Sequence, residues 1–97
     1  MRDLEEIKKI IYEYKDEFKK EYGVFAIGVF GSYSKEEQKK TSDIDILMEF
    51  QKPIDLFAFV HLKNHLSELL GLNVDLVMKK ALKPNIRKKI LEEVVYI

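Results

Sequence analysis

Cysteine is absent from the 97 residues. That excludes disulfides, thiolate metal sites and cysteine nucleophiles together. Charge of one sign is not in excess either, since 17 basic residues face 17 acidic ones. Broad, charge-driven binding of nucleic acid leaves a basic surplus, so the balance argues against direct nucleic-acid binding; a local basic patch stays open. No apolar run approaches the roughly 18 residues that cross a bilayer. The opening MRDLEEIKKI mixes acids with bases and has no apolar core of signal-peptide length. A cytoplasmic protein with no membrane partner is the expectation. Proline occurs twice and glycine four times, and the chain shows no repeat, linker or low-complexity segment. What remains is 46% hydrophobic and 35% charged, a globular composition. The length points to one domain, 1–97, able to bury one core with little stability to spare.

The hydrophobic pattern predicts an alternation of helices and strands. Leu4, Ile7, Ile11, Tyr14 and Phe18 recur at helical spacing, with Asp3 as a cap and Gly23 as a stop, so a helix runs from residue 3 to about 22. Val24–Phe30 is rich in β-formers and reads as a buried strand. Residues 31–42 predict a turn and a short polar helix around Lys35 to Lys39. Ile44–Phe50 is the second strand. Pro53 breaks the chain, Asp55 caps a helix through Leu70, and Gly71 ends it. Val74–Met78 is the third strand, and Pro84 opens a last helix through about Val94. This order implies an α/β (α+β) fold, a small mixed β-sheet covered by helices.

Chemistry concentrates in "VFGSYSKEEQKKTSDIDILMEF", residues 29–50. Asp43 and Asp45 stand two apart at the head of a strand, so both side chains point to one face. That face is not an apolar core, where two unpaired carboxylates are too costly. The acids repel each other, and a divalent cation removes the repulsion. Mg²⁺ prefers a carboxylate pair completed by phosphate oxygens and water. Asp75, inside the apolar "NVDLVM", supplies a third acid if its strand lies beside the second. Gly31 allows close approach of a phosphate to the backbone, the amides at a following helix start favour an anion, and the Ser32 hydroxyl adds a donor. A phosphate cradle beside a carboxylate-bound metal is equipment for phosphoryl or nucleotidyl transfer.

"GSYSKEEQKKTSDIDILMEF" resembles the G-S…D-x-D motif of the nucleotidyltransferase superfamily, whose fold is like the DNA polymerase beta palm. "VDLVMKKALKP", residues 74–84, resembles the strand with a third Asp and the K-x-A-L-K-P run of its minimal prokaryotic members, the MNT proteins. The likeness covers the chain from about residue 24 to its end. It implies that Gly31 and Ser32 hold phosphate and that Asp43 and Asp45 bind Mg²⁺. It implies that Asp75 is a third metal ligand and the base that activates the acceptor hydroxyl. ATP is the implied co-substrate. The family's Ala-Arg-Gly is Ser34-Lys35-Glu36 here, so Lys35 loses the planar fork of an arginine and stays outside the expected site. Members of this size resemble the antitoxins of HEPN/MNT (type VII) toxin–antitoxin systems. The resemblance therefore implies transfer of AMP to a tyrosine of a HEPN ribonuclease toxin as partner. The alternatives are a catalytically weak module that neutralises its partner by contact, and transfer to a small molecule or an RNA end. A homo-oligomer stays open.

Other features have plainer readings. His61 and His65 lie four apart on a helix without an evident third ligand, so solvated or half-buried histidines are expected. Tyr12, Tyr14, Tyr22, Tyr33 and Tyr96 read as packing residues. Arg87-Lys88-Lys89 reads as a solvated helix face, with contact to a partner or to phosphates as the alternative.

Overall fold

The computed structural model describes residues 3–39 and 43–97. Helix α1 spans Leu4–Tyr22. The Asp3 carboxylate accepts from the Glu6 amide at 2.9 Å, and Gly23 closes the helix at φ 73°. A left-handed residue at that place costs glycine nothing. Strands β1 (Val24–Phe30) and β2 (Ile44–Phe50) follow. Helix α2 (Leu56–Leu70) starts where the Asp55 carboxylate accepts from the Ala58 amide at 2.8 Å, and it ends at Gly71. Strand β3 (Val74–Met78), a 3₁₀ turn (Lys79–Ala81), helix α3 (Pro84–Glu93) and strand β4 (Val95–Tyr96) complete the order. The expected strands and long helices therefore stand as read, and β4 is an addition.

The four strands form one mixed sheet in the order β3-β2-β1-β4. β1 runs antiparallel to both β2 and β4, whereas β2 and β3 are parallel. Helix α2 is the crossover that the parallel pair requires. Helices α1 and α2 cover one face. Ile7, Ile11 and Phe18 of α1, Leu62, Leu66 and Leu70 of α2, and Ile44, Ile46 and Met48 of β2 share its buried cluster. Burying each such side chain contributes about 1.5–3 kcal/mol. The opposite face carries a smaller cluster of Phe30, Leu47 and Ile90, against which Val77, Leu82 and Val94 pack.

One expected element is missing. Residues 31–36 form turns, and residues 37–39 belong to no helix or strand, so no helix stands around Lys35 to Lys39. The turn closes through Lys35 N to Gly31 O and Glu36 N to Tyr33 O, both 3.3 Å, and through Glu37 N to Ser32 O at 2.8 Å. Glu36 adopts φ 57°. A left-handed residue there breaks helical propagation. The expected stretch also includes residues 40–42, which lie outside the described residues.

Candidate active site

Asp45 of β2 is separated from the strand's core side chains by the strand's own period. Ile44, Ile46 and Met48 enter the core, so Asp45 emerges on the opposite face. Parallel pairing sets Ile44 beside Val74 and Asp45 beside Asp75. The condition set for the third acid, that its strand lie beside the second, is met, and Asp75 stands next to Asp45. Asp43 lies exposed just before β2, Asp75 is exposed, and Asp45 is half-buried.

The electrostatics of Asp45 record this crowding. Burial raises its carboxyl to about 6; the Asp75 charge and hydrogen bond, then Asp43 and Glu93, push the same way. Losing water and gaining like-charged neighbours both favour the protonated acid. A donor set of carboxylates that repel one another suits a hard divalent cation with oxygen ligands. Among the described residues, no three His, Cys, Asp or Glu side chains are gathered closely enough to hold a metal ion by themselves. Asp45 and Asp75 side by side, with Asp43 just before β2, are oxygen donors of the kind that Mg²⁺ takes together with phosphate and water.

The Gly31–Ser32 turn flanks these acids, though not in the way expected. No helix begins there, so a helix N-terminus contributes nothing to it. Gly31 has φ 73°, and a Cβ on it would fall on the Asp45 carboxylate. Glycine is required by backbone conformation and by the close approach of Asp45, before any ligand is considered. The Gly31 amide donates to Glu93 Oε1 at 3.1 Å. The second oxygen of that carboxylate pairs with Lys35 Nζ at 3.0 Å. Lys35 holds the Glu93 carboxyl below its ordinary range, with the Gly31 amide acting in the same sense against the effect of burial. Ser34 Oγ donates to Gly31 O at 2.8 Å. Among the described residues, the amide and hydroxyl of Ser32 have no partner.

Glu93 is the residue that sequence reasoning missed, 62 positions from Gly31. One signal was available. It is an acid in the last turn of a helix, next to the negative end of the helix dipole, with no base in that turn. A carboxylate at such a place needs a partner from elsewhere. Lys35, left outside the expected site, is that partner.

The plainer readings divide. Tyr33 is fully buried and packs in the main core, and its hydroxyl has no partner among the described residues. Its phenol is pushed up by burial and then by Asp43. Tyr14 and Tyr22 pack against that core, but Tyr12 and Tyr96 are 69% and 48% exposed and are not packing residues. His65 stands edge-on to the Tyr14 and Phe18 rings, 3.7 Å from Glu17 Oε2, and His61 is exposed beside Tyr22. Lys88 and Lys89 are exposed, but Arg87 turns inward and donates to Leu82 O at 3.0 Å. No described helix is long and apolar enough to cross a membrane.

Comparison with known proteins agrees with this geometry. The nucleotidyltransferase domain family matches residues 11–97. The protein adenylyltransferase MntA of Thermococcus cleftensis is 50% identical over 97 residues, covering 100% of this chain and 98% of its own. A solved structure described as a candidate minimal nucleotidyltransferase superposes with a TM-score of 0.84 at 31% identity, over 97% of this chain and 95% of that one. A toxin–antitoxin complex with AMP-PNP superposes at 0.76 and 28% identity, over 93% of this chain and 70% of that one. A Shewanella oneidensis tri-AMPylated HEPN toxin in complex with an MNT antitoxin gives 0.67 and 26%, over 93% and 66%. With the family matching residues 11–97, a stretch that includes the Gly-Ser turn and all three aspartates, and with the fold matching that of a minimal nucleotidyltransferase, this chain belongs to the nucleotidyltransferase domain family.

Proposed function

We propose that the chain is a Mg²⁺-dependent protein adenylyltransferase. It moves AMP from ATP to a tyrosine of a HEPN-domain toxin and thereby acts as the antitoxin. The observation that carries this reading is the side-by-side placement of Asp45 and Asp75, with Asp43 close by and the Gly31–Ser32 turn on their flank. The name of the Thermococcus relative and the AMPylated HEPN complex support the acceptor class, and the AMP-PNP complex supports an adenine nucleotide as donor.

Each residue has a role in this reaction. Asp43 and Asp45, with Asp75, hold the ion, which when bound offsets the charge of carboxylates and phosphates brought together. Ser32 donates to a phosphate oxygen from its amide and its hydroxyl. Gly31 leaves space for Asp45 and turns the chain. A tyrosine hydroxyl titrates near pH 10 and is a weak nucleophile at neutral pH. Asp75 accepts its proton as the phenolic oxygen bonds to the α-phosphorus. The bond from that phosphorus to the bridging oxygen breaks, and pyrophosphate leaves with the electron pair.

The test is transfer from ATP labelled at the α-phosphate to a purified HEPN partner, with and without Mg²⁺. The parent labels the partner only with the ion present. Asp43→Asn and Asp45→Asn lower labelling by about 10³ or more, the several kcal/mol of charge stabilisation that a bound metal supplies. Both variants stay folded. A partner silenced equally by the parent and by Asp45→Asn, with no labelling, would replace this reading with neutralisation by contact.

A further inference from the structure

We propose that Glu93 is a positioning residue for nucleotide binding: its carboxylate spans Gly31 and Lys35 and holds the turn that presents Ser32. The inference rests on the assignment of that turn to the nucleotide phosphates. The two bonds, 3.1 Å to the Gly31 amide and 3.0 Å to the Lys35 ammonium, fall on either side of Ser32 in the chain. They use both oxygens of one carboxylate, so the two ends of the turn are fixed relative to each other.

The clamp itself is anchored on both sides. Ile90, one turn earlier in α3, is buried with Phe30 and Leu47. The residues after Glu93 join the sheet, since Val95 and Tyr96 pair with Val29 and Gly28, and the Ile97 amide donates to Ile27 O at 2.9 Å. Glu93 is thus tied to β1, the strand that runs into Gly31. The Glu93 side chain is 18% exposed and that of Lys35 46%, so the carboxylate is held within the fold while the ammonium end of the pair meets water and contributes less. The turn has reason to need an outside hold. Two of its own backbone bonds are long, at 3.3 Å, and Glu36 sits at φ 57° where side chains are disfavoured. Holding the Gly31 amide also divides the labour, because it leaves the Ser32 amide and hydroxyl as the donors that face an incoming phosphate.

The same contacts allow an opposite reading. A carboxylate on one amide and one ammonium resembles a phosphate, so Glu93 would be a stand-in that the nucleotide must displace. The two readings differ in sign. Mg·ATP binding is measured by calorimetry for the parent, Glu93→Ala, Glu93→Gln and Lys35→Met, each first checked by its melting curve. As a positioning residue, Glu93→Ala weakens binding about tenfold, the size of effect of losing a charge-assisted hydrogen bond. Glu93→Gln keeps an acceptor for the Gly31 amide and binds between Ala and parent. Lys35→Met loses no more than Glu93→Ala. In the transfer reaction the loss appears in KM for ATP, with kcat within about twofold of the parent, since uniform binding is what was removed. Unchanged or tighter binding in Glu93→Ala overturns the inference alone, and if that variant does not fold, parent-like binding in both Glu93→Gln and Lys35→Met does the same. A parent that does not bind Mg·ATP overturns the inference together with the reading beneath it.

Discussion

The two faces of one four-stranded sheet do opposite things. Toward α1 and α2, β2 sends Ile44, Ile46 and Met48 into a dry cluster. Toward α3 it sends Asp45, Leu47 and Glu49, of which only Leu47 is buried in a cluster of three. The strand is shared, so one backbone holds both a core and a row of mutually repelling acids. The comparison teaches why the acids tolerate their crowding. The stability of the strand comes from the far face, and the near face is free to be electrostatically unfavourable, as a binding face can be.

Breaking the acidic face should change rate more than stability. Beside the loss expected on removing Asp43 or Asp45, the largest effect is at Asp75. Asp75→Asn keeps the shape and two carboxylates for the ion, so Mg·ATP binding persists. Losing a general base slows AMP transfer by about 10²–10⁴, read by single-turnover labelling of the purified partner. Transfer at the parent rate would leave Asp75 as an exposed edge-strand acid that deters aggregation.

Breaking the apolar face should do the reverse. Ile46→Ala opens a cavity beside α1 and α2 and costs about 2–5 kcal/mol in denaturant unfolding. Molecules still folded should transfer AMP near the parent rate, because Ile46 points away from the acids. A large loss of rate at unchanged stability would mean that the faces are not separable.

A smaller effect sharpens the comparison from the acidic side. With the Asp45 carboxyl raised to about 6 in the metal-free protein, the folded chain binds a proton more readily than the unfolded one. Stability then rises as pH falls from about 6 toward the ordinary carboxyl range, and the penalty is fully present above it. Asp45→Asn removes the charge. Without Mg²⁺ the variant should be more stable than the parent at pH 8 by about 1 kcal/mol, solvent screening having reduced the effect. The difference should shrink toward pH 4, as chemical denaturation at each pH would show.

The smallest effect concerns the turn. Glu36 occupies a left-handed conformation at φ 57°, the region that glycine adopts without cost. Glu36→Gly relieves that conformation at some cost in unfolded-chain entropy, for a net gain of up to about 1 kcal/mol in thermal unfolding. Destabilisation would show that the Glu36 side chain makes an unrecognised contribution.

Much of this molecule was legible in the chain. Periodicity and punctuation by Asp3, Gly23, Asp55, Gly71 and Pro84 place α1, α2, α3 and the first three strands, because caps and stops act within a few residues of themselves. Asp43, Asp45 and Asp75 declared themselves as acids where an apolar strand has no local use for them. The short helix expected near Lys35 failed because its polar residues had no apolar face to bury, and the turn went instead to Gly31 and Glu36. The two-residue β4 carries too little pattern to see. The Asp45–Asp75 pairing needed the parallel register, and the Glu93 contact with Gly31 and Lys35 needed α3 and β4 folded back onto β1. Local chain chemistry therefore determined the elements and the acids. Tertiary structure decided which charges meet, because electrostatic contacts depend on distance in space, and residues 62 apart in sequence become neighbours only when the sheet has formed.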